Sequence, residues 1–299
     1  MNVQVTGAFI YFTIPIFGGI PITQTIVSHF LVTIILCSLF IYLGKRLNKR
    51  PDGLQVLVEK GVMMLHDMVV ESMGAHNAHW TPFIGTIFLS SLFGSYIGLT
   101  GFLRSSTADL SVPLVWAIMV SVIIWYNNIK NNGFIGWLKG FTEPIVVMTP
   151  MNLVGEIAQP ASMAFRHFGN IAGGGVINSI LYTALAGLST LVIQLITSTG
   201  WLVAAIMLAA GAGLTFLWKK NGKVIALVFG ILSAVLGFFG LLEAFGILTN
   251  VPIFTYGIPA VLSCYFDLFS GFVQAYVFTL LTMVYISGSL PEPEAAQAA

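Results

Sequence analysis

Residues 151–197 read MNLVGEIAQPASMAFRHFGNIAGGGVINSILYTALAGLSTLVIQLIT, a helix-compatible stretch whose only Asp, Glu, Lys or Arg side chains are Glu156 and Arg166. At about 1.5 Å rise per residue it would reach about 70 Å, more than twice a hydrocarbon core of about 30 Å. Such a helix must be steeply tilted or broken. The successive Gly173, Gly174 and Gly175 offer either a break or a place where a partner helix comes close, because no side chains intervene there.

The surrounding composition sets the class. Of 299 residues 57% are hydrophobic and 8% charged, with a mean hydropathy of +0.93; an ordinary soluble domain carries about a quarter charged residues. The chain therefore reads as a polytopic integral membrane protein, all-α. Twelve basic against eleven acidic residues leave a net charge of +1, so no basic surface exists to neutralise the phosphates of a nucleic acid. Cys37 and Cys264 lie far apart within apolar runs, with neither disulfide nor metal-ligand spacing. His76 and His79 lie close together beside Trp80 without a third ligand, and no metal site is expected. No G-x-x-x-x-G-K-S/T phosphate loop occurs, so no nucleotide site, cofactor or covalent catalysis is expected of this chain by itself. The N-terminus lacks a basic region ahead of an apolar core, and the first long apolar run reads as a retained span.

That first span covers 22–43, and Lys45, Arg46, Lys49 and Arg50 place its end in the cytoplasm. Residues 53–74 mix Glu59, Lys60, His66, Asp67 and Glu71 with Leu, Val and Met at helical spacing, which describes an amphipathic helix at the interface with those charges on its solvated face. Residues 83–129 form a hairpin. Its outward tip carries Arg104 and Asp109, an ion pair or an entrance lining, and its basic end carries Lys130 and Lys139. Residues 201–248 make a further hairpin around Lys219, Lys220 and Lys223, and a terminal long helix covers 257–288 ahead of a disordered tail at 289–299. With 151–197 counted as one pass, seven passes place every basic cluster on the same side, within a single membrane domain spanning 1–299.

A charge near the centre of a membrane helix costs from about 2.5 to more than 10 kcal/mol. Arg166 shares one helix face with Ser162 and Asn170 by the i, i+4 rule, and Glu156 and Gln159 extend the polar character toward the helix start. In the terminal run Ser263, Asp267, Ser270 and Gln274 form one stripe. A polar stripe in lipid must face protein or water. Arg166 and Asp267 either pair with one another as structural glue or line a hydrated path. Glu243 lies near the end of its apolar run, where a carboxylate reaches the interface.

Residues 156–174, EIAQPASMAFRHFGNIAGG, resemble the F-type ATP synthase subunit a signature in which E-I-x-K/Q-P-x-S precedes R-L-F-G-N. Residues 272–287, FVQAYVFTLLTMVYIS, are similar to that family's C-terminal pattern, and weaker likenesses surround 106–112, 130–139 and 150–153. The resemblance implies an ion-translocating stator that forms two half-channels against a rotating c-ring, with peripheral-stalk b subunits as further partners and a proton or sodium ion as cargo, in a bacterial cell membrane. It casts Arg166 as the stator arginine facing the ring carboxylate, Asn170 and Gln274 as polar residues beside the ion path, and Gly173, Gly174 and Gly175 as the close-packing run against the rotor, or as simple glycine packing. The rotary ATPase activity then belongs to the whole complex. Relatives carry an acidic residue after the arginine motif and a His near position 267; here Gly175 and Asp267 stand there, so Asp267 is the candidate relay. His167 stands where Leu is usual and either packs or relays. The alternative is a self-contained ion-coupled secondary transporter, which internal repeats would favour and which the halves do not display.

Overall fold

The computed structural model describes residues 9–15, 19–49, 53–143, 145–198, 200–221, 224–247, 252–255, 261–262 and 264–291. Ser263, Lys223, Arg50 and the tail beyond Pro291 lie outside the described residues. Seven helices among these are long and apolar enough to cross a membrane, so the chain is an all-α, multi-pass integral membrane protein. Two compact units divide it, one of Thr6–Gly175 with Cys264–Ala299 and one of Met1–Val5 with Val176–Ser263.

The first unit opens with an antiparallel hairpin of β1 (Ile10–Ile14) and β2 (Ile20–Thr23). Helix α1 (Gln24–Gly44) has no Asp, Glu, Lys or Arg and stops where Lys45 and Arg46 begin; the Arg46 guanidinium lies 4.4 Å over the Tyr42 ring. Helix α2 (Leu54–Met73) buries Val69 and Met73 but leaves Leu54, Leu57, Met63 and Met64 exposed. Helix α3 (Thr81–Tyr96) starts with Pro82, whose missing N–H costs nothing in the first turn. Helix α4 (Ser111–Gly140) bends at Gly133, where φ is +70°.

Helix α5 (Thr149–Ser198) runs 50 residues and passes through Gly173–Gly175 as helix. The expected possibility of a break there is not realised. Lipid offers no partner for freed backbone groups, so a glycine run keeps its helical hydrogen bonds unless protein or water replaces them. The terminal run is π-helical over Cys264–Ser270 and α-helical over α8 (Gly271–Ser289).

The core of this unit joins α2, α3, α4, α5 and α8 through Val69, Ile84, Trp116, Val120, Met163, Ala164, Phe278 and Met283. Asn127 Nδ2 donates to Ser289 Oγ at 3.2 Å and Asn131 Nδ2 to the Ser289 carbonyl at 3.0 Å, which ties α4 to the end of α8. In the other unit α6 (Trp201–Asn221) and α7 (Val224–Ala244) meet at backbone distance. A Cβ on Gly211 would stand 2.4 Å from the Ala234 nitrogen, and one on Gly237 2.5 Å from that of Leu208. Lipid-facing helices gain little by hiding apolar surface from one another, so close van der Waals contact through small residues holds this pair together.

Candidate functional site

Helix α5 is two-faced around its arginine. Met163, Ala164, His167, Ile171 and Gly174 are buried, whereas Ser162, Arg166, Gly169 and Asn170 are exposed. Asn170 Nδ2 donates to the Arg166 carbonyl at 2.9 Å and so folds back along its own helix. Among the described residues no carboxylate pairs with Arg166, and Asp267 forms no ion pair with it. A guanidinium cannot lose its charge. On a surface otherwise bathed in hydrocarbon it requires cover from protein or water.

The three glycines differ. A Cβ on Gly173 or Gly175 meets nothing within 4 Å, while one on Gly174 would lie 2.8 Å from the Phe266 ring. Gly174 thus serves packing within the chain, on the π turn of the terminal run. Tyr96 Oη also donates to the Leu268 carbonyl at 3.1 Å, holding that turn to α3. Asp267, Ser270 and Gln274 are half-buried. Across Cys264–Ser270 the wider π turn changes the angular step per residue, so Asp267 and Ser270 do not keep the α-helical spacing expected of them.

A polar recess of about 560 Å³ lies between the C-terminal part of α4 and the start of α5, lined by Asn128, Asn132, Asn152, Glu143 and Glu156 among others. Trp125 Nε1 donates to Glu156 Oε1. Pro160 lacks the N–H that would bond the Glu156 carbonyl, so Glu156 brings both a carboxylate and a carbonyl without its helical donor to this end. Glu243 is the next-to-last residue of α7.

A second polar set lies at the other end of α4 and was not singled out from the sequence. Ser95 Oγ and Thr107 Oγ1 are 2.9 Å apart, Thr107 Oγ1 and Ser105 Oγ 2.9 Å apart, and the Ser105 and Ser106 hydroxyls donate to the Gly94 carbonyl at 3.1 and 3.2 Å. One turn deeper, Ser91 Oγ stands 3.4 Å from His167 Nε2. The pair Ser91 and Ser95, at i and i+4 in an apolar run, is the same signal that marked the arginine helix. The loop beside them is anchored by Asp109, which accepts from Thr25 Oγ1 at 2.9 Å, from the Ser111 N–H at 3.1 Å and from the Ser111 hydroxyl. Burial opposes ionisation of Asp109, but the Ser111 and Thr25 hydrogen bonds, aided by the Arg104 charge, outweigh it and hold its carboxyl below the usual carboxylate range.

A multi-pass helical membrane protein with an uncovered arginine on one helix, a polar recess at one end of its bundle and a buried set of hydroxyls at the other is the class these features define. The family described as ATP synthase A chain matches residues 26–236, and the chain belongs to that family. It is 28% identical over 291 residues to the ATP synthase subunit a, sodium ion specific, of Propionigenium modestum, covering 92% of this chain and 77% of that protein. It is 26% identical over 289 residues to the ATP synthase subunit a of Limosilactobacillus reuteri, covering 94% and 97%. A shorter match, 30% over 174 residues, links it to the ATP synthase subunit a of Streptococcus agalactiae, covering 55% of this chain and 73% of that one.

Proposed function

We propose that this chain is the ion-translocating stator subunit of a rotary F-type ATP synthase, working against a c-ring and held by peripheral-stalk b subunits. The observation that carries the reading is the bare arginine face: Arg166 is exposed between Ser162 and Asn170, with open space over Gly169 and Gly173. A partner helix bearing a carboxylate fits such a face in charge and in closeness of approach. A self-contained transporter would enclose its charged residue within its own bundle, so the same exposure counts against that alternative.

In this role Arg166 keeps each passing ring carboxylate ionised, because an adjacent fixed cation favours the charged form. The carboxylate therefore releases its ion on approach and reloads after passing, and the arginine blocks a direct leak between the two access routes. The recess at Glu156 serves one route. Asp267, the one carboxylate of the terminal run among the described residues, is the titratable relay near the ring. Each ion crossing a potential of 100 mV releases about 2.3 kcal/mol, so several are needed per ATP.

The reading is tested by cross-linking. Asn170→Cys, in a chain with Cys37 and Cys264 replaced by Ala, should form a disulfide with a cysteine placed one turn from the ring carboxylate. A cysteine at buried Ala164 should form none. Equal yields at both positions, or none at Asn170, would remove the ring from this face.

A further inference from the structure

His167 is 1% exposed, among the largest fully buried side chains of the protein. Its Nδ1 makes no hydrogen bond of good geometry, although the Gln274 backbone lies beside the ring, and its Nε2 meets the Ser91 hydroxyl at 3.4 Å. The rest of its enclosure is aromatic: Trp116 and Phe278 stand edge to face with it at ring-centroid distances of 6.3 and 5.8 Å. A buried polar atom left without a partner costs about 1–3 kcal/mol. Leu would fill this site without that cost, so packing alone does not account for an imidazole here.

The Ser91 side of the ring opens onto the hydroxyl set described above. Ser95 is 3% exposed, and Ser106 and Thr107 are 0%. They reach α3 closely because Gly94 has no side chain; a Cβ there would stand 2.5 Å from Ser106 Oγ. This set lies where α3 joins α4, at the end of α4 opposite Lys130 and Lys139, which is the outer end by the distribution of basic residues. Ser95 Oγ donates to the Ser91 carbonyl at 2.9 Å, so the hydroxyl set, Ser91 and His167 follow one another along a line inward from the outer loop.

Resting on the stator reading, we propose that this line is the outer access route of the chain and that it carries protons, with His167 as its inner relay. A hydroxyl both donates and accepts, so a row of them passes a proton by reversing direction. A dehydrated sodium ion instead needs several oxygen ligands, and among the described residues the polar contacts of His167 are the Ser91 hydroxyl and the Gln274 backbone, against two aromatic side chains. In the transfer, Nε2 takes a proton from the Ser91 side and the ring becomes an imidazolium. Nδ1–H then gives its proton to a water on the Gln274 side of the ring, and a flip of the imidazole, which turns the bare nitrogen back to Ser91, restores the starting protonation pattern. The groups facing His167 are Ser91 on α3, Trp116 on α4, and Phe278 and the Gln274 backbone on α8. His29 of α1 lies across Trp116, at a ring distance of 5.8 Å from it, and Arg166 points from the opposite face of α5.

The test uses the whole complex in inverted vesicles, with ATP-driven acidification and radioactive sodium uptake followed side by side. Wild type should acidify and take up no sodium. His167→Leu, and Ser91→Ala, which removes a single oxygen atom, should each slow acidification by about tenfold or more, the scale of a lost proton-transfer group, at wild-type levels of assembled complex. Should His167→Leu fail to assemble, Ser91→Ala decides alone. ATP-driven sodium uptake by wild type, or full-rate acidification by an assembled variant, overturns the proton route while leaving the stator reading intact. Transport of neither ion by wild type would instead contradict the stator reading itself.

Discussion

Arg166 and His167 are consecutive residues with opposite surroundings: the guanidinium is exposed on the uncovered face of α5, and the imidazole is 1% exposed among Ser91, Trp116 and Phe278. A helix turns about 100° per residue, enough here to separate a face for a partner from a face for the core. Replacing one should therefore fail in a different way from replacing the other.

The glycine run separates packing from partner contact. Gly174→Ala places a methyl 2.8 Å from the Phe266 ring, and overpacking of this kind costs about 1–3 kcal/mol. Gly173→Ala meets open space and should stabilise the isolated chain by about 0.5–1 kcal/mol through helix propensity. Thermal unfolding of the purified subunit in detergent checks both, and equal shifts for the two would refute the division. Within the complex Gly173→Ala should slow ATP-driven pumping, because its methyl would stand on the open face proposed to meet the rotor.

Asp109 gives the outer loop a pH dependence. Its folded-state pKa is depressed, so its stabilisation is fully present above the ordinary carboxylate value, about 3.9, and is lost as pH falls through the folded pKa. Thr25→Val removes a buried hydrogen bond to a charged group, worth about 1.5–3 kcal/mol. Its penalty should be large near neutral pH and shrink once Asp109 is protonated. Thermal unfolding at neutral and strongly acid pH measures this, and a penalty independent of pH would show that Thr25 acts only by packing.

The Glu156 recess joins a carboxylate, an indole donor and a proline. Trp125→Phe removes the donor from Glu156, and a lost bond of about 1 kcal/mol corresponds to about a fivefold effect. Pumping should fall by about that factor with assembly unchanged. Pro160→Ala should restore a donor to the Glu156 carbonyl and stabilise the helix by about 3 kcal/mol, so the variant should be more heat-stable and slower. A variant both more stable and equally fast would separate this carbonyl from ion flow.

Asp267→Asn keeps size and polarity while removing the only carboxylate of the terminal run among the described residues. Coupled pumping should drop to a few per cent of wild type or less, on the scale of general acid–base groups, about 100-fold or more. Full-rate pumping would leave Asp267 a structural residue of the π turn.

The membrane class and its helices were legible because hydropathy over about 20 residues is a strong signal. The hairpin of Ile10–Ile14 with Ile20–Thr23 was not anticipated, although Pro15 and the positive-φ Gly19 sit at its turn. Its strands are too short and too apolar to stand out from the run that follows. The π turn at Cys264–Ser270 has no sequence mark, and it arises where Phe266 and Leu268 are held by Gly174 and Tyr96. Arg166 and its face could be read from spacing alone. Its bareness could not, because exposure depends on which neighbours the chain leaves out. Trp125 reaches Glu156 across 31 positions, a separation that no local pattern encodes.

The most direct measurement is ATP-driven acidification of inverted membrane vesicles containing the complex, comparing wild type with Arg166→Ala at matched subunit content. Abolished pumping with normal assembly is the expected result, since no other cation stands on that face among the described residues. Undiminished pumping by an assembled Arg166→Ala complex would contradict the stator role of Arg166.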